Sequence, residues 1–92
     1  MDATKQAIYE CIQSSFSSAG LNAISSADQV IAWQAISKDV KREVGTSMRS
    51  CIKTKTQQDP GDLVVAILVS SVQEPAMPVS DLIEIVYQLM QP

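Results

Sequence analysis

The chain contains no histidine. That removes the usual general base, every histidine-dependent triad and the commonest zinc ligand. Its three glycines are isolated from one another, so no glycine-rich loop is available to cradle a phosphate. Only two cysteines are present, Cys11 and Cys51, too few for a disulfide framework and too far apart for a CxxC motif. The first turns, MDATKQAIYECIQSS, are polar and amphipathic rather than an apolar leader, so reduced thiols in the cytoplasm are the expectation. Cys11 falls on an apolar helix face, where a free cysteine acts as a small hydrophobe. The longest apolar run, LVVAILV at 63–69, has seven residues, against roughly 20 needed to span a bilayer. Carboxylates that come close in sequence, Asp59 with Asp62 and Asp81 with Glu84, stand at helix starts, where capping and the helix dipole explain them. These absences lead to an expectation of no enzyme activity, no metal, no cofactor and no membrane segment.

Hydrophobic residues make up 46% of the 92 residues, and only four are aromatic. The core must therefore come from Ile, Val, Leu, Ala and Met. A chain of this size forms one domain, residues 1–92, and buries only about two-thirds of its unfolded surface, which leaves a thin stability margin.

The apolar periodicity is helical. Ile8, Cys11, Ile12 and Phe16 make one buried stripe and predict a helix over Asp2 to Ser18, closed by Gly20. Ser26 and Gln29 have the spacing of a capping box just before Val30. From there Val30, Trp33, Ile36, Val40, Val44, Met48 and Cys51 recur every three or four residues. They predict a second helix reaching about Thr54, either continuous or broken at Gly45; the stripe stays in phase across the glycine, which favours one helix. QQDPGD marks a boundary, with Asp59 as cap and Pro60 at the first position of a third helix running to about Gln73. EPAMP interrupts it, and a fourth helix starts with Ser80 as cap and buries Leu82, Ile83, Val86, Leu89 and Met90. The β-branched LVVAILV also suits a buried strand, but the caps before it and the lack of a partner strand argue for helix. The fold class is all-α, a compact bundle of four or five short helices.

Charge is unevenly placed. KDVKREVGTSMRSCIKTK, residues 38–55, holds six of the seven basic residues against two acidic ones, a local balance of +4 in a chain of net charge −3. On a continuous helix Lys38, Arg42, Arg49 and Lys53 fall within an arc of about 60°. Such a row is either a solvated helix face or a docking surface for a partner with an acidic surface. The candidate binding residues are Lys38, Lys41, Arg42, Arg49, Lys53 and Lys55.

If Gly45 instead marks a turn, VGTSMRSCIKTK resembles the second half of the helix–turn–helix motif of transcription regulators. Val44, Gly45 and Ser47 match its turn, and Cys51 takes the place of its buried aliphatic residue. The resemblance covers about a dozen residues and implies DNA contacts from Arg49, Ser50, Lys53 and Lys55. It departs from the motif at Lys41, where alanine is usual, and at Thr46, where an apolar residue is usual.

The third and fourth helices carry more apolar surface than a small bundle readily hides. Val65, Leu68, Val69, Val72, Ile85 and Leu89 are the candidates for a homodimer interface; the alternative is full burial of a central third helix. The functional expectation is a small protein–protein interaction module, an inhibitor or adaptor that masks a surface of a larger machine. A dimeric DNA-binding regulator is the second expectation.

Overall fold

The computed structural model describes residues 2–70 and 76–91. Helix α1, Ala3–Ser18, begins where the Asp2 carboxylate accepts the Lys5 backbone N–H at 2.8 Å. It ends in a Schellman motif: the N–H of Gly20, at φ 75°, donates to Ser17 O, and that of Leu21 donates to Phe16 O. Ile8, Cys11, Ile12, Ser15 and Phe16 form its buried stripe, the spacing read from the sequence.

The second predicted helix starts late. Ser26 and Gln29 do not cap a helix. The Gln29 carboxamide oxygen accepts from the backbone N–H and hydroxyl of Ser25, and its NH2 donates to Ala23 O, which closes a loop. Gln13 pins the same loop by donating to Ile24 O at 2.9 Å. Val30–Ile31 then form strand β1, and Trp33–Ala35 a single 3-10 turn. Only at Ser37, whose hydroxyl accepts the Val40 N–H at 3.2 Å, does helix α2, Lys38–Thr56, begin. Val30 is 59% exposed while Trp33 is 1% exposed. The helical spacing of apolar residues before Ser37 thus comes from an irregular segment dipping in and out of the core.

Helix α2 runs unbroken through Gly45, so neither a helix–turn–helix nor a fifth α-helix forms there. A Cβ built on Gly45 would lie 2.9 Å from Val65 Cα and 3.2 Å from Leu68 Cδ1. Hydrogen is the only side chain that leaves room for helix α3, Leu63–Ser70, to lie this close. Helix α3 starts three residues later than Pro60 because Gly61 sits at φ 83°, a left-handed conformation that no helix accommodates. The expected end of this helix, near Gln73, lies outside the described residues. Helix α4, Val79–Leu89, follows strand β2, Met77–Pro78. Ser80 is not its cap; the Val79 and Ser80 N–H groups donate to Gln29 O and Ala27 O, both at 2.8 Å. The loop after α1 therefore satisfies donors that a helix start would otherwise leave unpaired. Strands β1 and β2 pair antiparallel, with Val30 opposite Pro78 and Ile31 opposite Met77. This short bridge is absent from the sequence reading.

Four helices among the described residues form the expected all-α bundle around one core. Ile8, Ile12, Val44, Met48, Ile52, Leu68 and Val86 are fully buried, and Phe16 meets Trp33 edge to face at 5.8 Å. Each such aliphatic side chain contributes about 1.5–3 kcal/mol. The core therefore outweighs the exposed ion pairs, which contribute little in water. No helix among the described residues is long and apolar enough to cross a membrane.

The cysteines overturn an expectation. Cys11 and Cys51 are not free thiols but form a disulfide between α1 and α2, with Cα atoms 5.6 Å apart. Cys51 lies on the flank of α2 that faces α1, opposite the Cys11 position of the α1 stripe. Forty residues separate the pair in sequence, which no spacing motif flags.

Candidate docking face on helix α2

Helix α2 buries Lys41, Val44, Gly45, Met48 and Ile52. Its opposite face carries Asp39, Arg42, Glu43, Thr46, Ser47, Ser50 and Thr54, which line an open trough bounded at one end by Cys51 and Lys55. The lining side chains between Glu43 and Lys55 are short, so the helix surface is accessible along about three turns.

The six predicted cations do not form one free row. Lys41 is 1% exposed and belongs to the buried face, not the binding surface. It stands seven residues before Met48 and eleven before Ile52, two positions on the core stripe. Arg49 is spent inside the molecule: its Nε and Nη2 donate to the two Asp59 carboxylate oxygens at 2.8 and 3.0 Å, and its Nη1 donates to Asp62. That grip, together with the Gly61 N–H donated to Asp59, holds the Asp59 carboxyl far below the usual carboxylate range. The Arg49 guanidinium is raised in turn, chiefly by its hydrogen bond to Asp59. Asp59 therefore does not cap α3, which begins at Leu63; with Asp62 it fastens the α2–α3 connection to α2. Lys55 reaches across to Glu10 of α1 at 3.4 Å. The Glu10 carboxyl is lowered first by its hydrogen bond from Gln6 and then by Lys55.

Three cations stay outward. Lys38 and Lys53 are exposed and make no ion pair among the described residues, and Arg42 only grazes Asp39 at 3.4 Å, both well exposed. Of the three only Arg42 lines the trough, beside Asp39 and Glu43, while Lys53 adds to the field that lowers Asp59. Elsewhere, Lys5 pairs with Glu84 at 2.8 Å and lies 4.8 Å from the centre of the Tyr87 ring, joining α1 to α4. Its pKa is raised, chiefly by the hydrogen bond to Glu84.

The predicted dimer patch is divided. Leu68 is fully buried, and Val65 is pressed against Gly45 of α2. Val69 and Leu89 are half-buried, and Ile85 is 36% exposed. Val72 lies outside the described residues. The exposed large apolar side chains are Val30, Leu63 and Ile85, each on a different element. Among the described residues no group of three or more His, Cys, Asp or Glu side chains is placed to hold a metal ion.

No family model matches the chain, and neither a curated protein nor a solved structure is significantly similar to it.

Proposed function

We propose that this chain works by contact, as a non-enzymatic module that docks an acidic surface of a larger protein through the outward face of α2. The observation that carries this reading is the trough along α2. Helices α1 and α3 cover the flanks of α2 and leave its outer face open; Arg42 lines the trough beside Asp39 and Glu43, and Lys38 and Lys53 are exposed on the same helix with no ion pair among the described residues. A rigid helix with short side chains between outward cations lets an acidic segment approach closely and fixes its register by charge. Masking such a segment is how a module of this size would inhibit or adapt a larger machine. The Cys11–Cys51 bond supports work in an oxidising compartment rather than in the reducing cytoplasm.

Fluorescence anisotropy with a labelled polyglutamate peptide and a labelled mixed-sequence DNA duplex, at low and physiological salt, tests the reading. The peptide is expected to bind. Lys38→Glu combined with Lys53→Glu should weaken it about tenfold without unfolding the protein. Undiminished binding by that variant would sink the proposal. So would preference for the duplex with a log–log salt slope of about −0.9 per phosphate contact, which would mark a DNA-binding face instead.

A further inference from the structure

The two cysteines of the disulfide differ in exposure. Cys11 is fully buried on the inner stripe of α1. Cys51 is half-buried and lines the α2 trough with Ser47, Ser50, Thr54 and Lys55. Disulfides exchange when a thiolate attacks one of the two sulfurs, so access decides which one. We infer that Cys51 is a site of S-thiolation and Cys11 its buried resolving thiol, and that the incoming group is a small carboxylate-bearing thiol of the glutathione class.

The incoming thiolate approaches along the trough and bonds to Cys51 Sγ. The bond between Cys51 and Cys11 breaks, and its electron pair leaves on Cys11 Sγ, which takes a proton from water. The small thiol is oxidised to a mixed disulfide and Cys11 is reduced. In the reverse step the Cys11 thiolate attacks Cys51 Sγ, expels the small thiolate and restores the original bond. Lys55, one helical turn beyond Cys51, pairs with Glu10 of α1 at 3.4 Å, and this exposed, weak pair is the one an incoming carboxylate would exchange with. Asp39 and Glu43 lie at the far end of the trough, roughly 12 Å or more along the helix.

Proximity sets the balance of the exchange. Cys11 stays beside Cys51 as an intramolecular thiol, so the reverse step restores the original bond. The mixed disulfide should accumulate when Cys11 is removed. This assignment rests on the unequal exposure of Cys11 and Cys51 and stands or falls independently of the docking reading.

The test compares Cys11→Ser and Cys51→Ser, each shown to be folded by circular dichroism, in reaction with oxidised glutathione under native conditions. In Cys11→Ser, Cys51 should take up one glutathione; in Cys51→Ser, Cys11 should react about a hundredfold more slowly until denaturant is added. Equal rates in the two folded variants, or a Cys51 as protected as Cys11, would overturn the assignment. Should either variant fail to fold, the wild-type protein is pulsed with reduced glutathione at about 10 mM, acid-quenched and mapped by mass spectrometry. The ratio of adducts decides it: an excess of glutathione on Cys51 over Cys11 supports the assignment, and equal amounts or an excess on Cys11 overturn it.

Discussion

On its α1 side helix α2 is joined by a covalent bond between Cys51 and Cys11; on its α3 side it is held close by a missing side chain, Gly45. Each flank adds an ion pair, Lys55 with Glu10 on the first and Arg49 with Asp59 and Asp62 on the second. The two seams teach different things about stability. A disulfide acts mainly by restricting the unfolded chain, so the α1 seam depends on redox conditions and tolerates modest repacking. A glycine contact acts only in the folded state through close approach, so the α3 seam is indifferent to redox and intolerant of added volume.

The largest effect should come from the covalent seam. Cys11→Ala combined with Cys51→Ala removes a link across 40 residues, for which the chain-entropy relation gives roughly 4 kcal/mol. Urea unfolding of the double variant and of the dithiothreitol-reduced wild type should give nearly the same loss. Gly45→Val should come next, at about 3 kcal/mol, because its Cβ meets backbone rather than a movable side-chain tip. Gly45→Ala regains about 1 kcal/mol of helix propensity but keeps the backbone clash, so a smaller net loss is expected. Adding Val65→Ala should relieve the Cγ2 contact and leave the one to Val65 Cα. If Gly45→Val proved neutral by thermal unfolding, the close-approach explanation of the glycine would be wrong.

Acid should act more gently. Asp59, Glu10 and Glu84 have folded pKa values depressed from ordinary values of 3.8, 4.5 and 4.5. A depressed carboxyl adds stability that is fully present above its unfolded pKa and is lost as pH falls towards the folded one. With no histidine in the chain, unfolding free energy should be flat between about pH 5.5 and 7. It should then fall below about pH 4.5, and Arg49→Met should blunt that fall. A pronounced change in stability between pH 5.5 and 7 would contradict this assignment. At neutral pH Arg49→Met should have the smallest effect of the series, and added salt should shrink the difference from wild type further, since exposed ion pairs are screened.

Much of the bundle was readable without coordinates, and the errors share a cause. Helix α1 was legible because its stripe and Gly20 agree; Asp2, read as its first residue, is its cap. The continuity of α2 across Gly45 followed from the phase of Val44, Met48 and Cys51. Its start was misplaced because apolar residues at helical spacing, Val30 to Ile36, are used by a strand, a 3-10 turn and extended backbone. Spacing reports which residues return to the core, not which backbone brings them there. Ser37, the actual cap, is a residue type favoured at that position. Among the candidate binding residues, burial of Lys41 was recoverable from the helical wheel, which sets it with Val44, Met48 and Ile52. The pairing of Arg49 with Asp59 and Asp62 was not, because it depends on how the Asp59–Asp62 turn folds back against α2. The disulfide likewise depends on the packing of α1 beside α2.

The most direct test of a docking role for α2 is a heteronuclear NMR titration of the 15N-labelled, oxidised protein with polyglutamate. Chemical-shift changes should concentrate on Lys38, Arg42, Thr46, Ser50 and Lys53, the outward face and edge of α2, and should fade as salt rises. Changes centred instead on α4 or the β1–β2 bridge, or no changes at low salt, would contradict the assignment of α2 as the docking element.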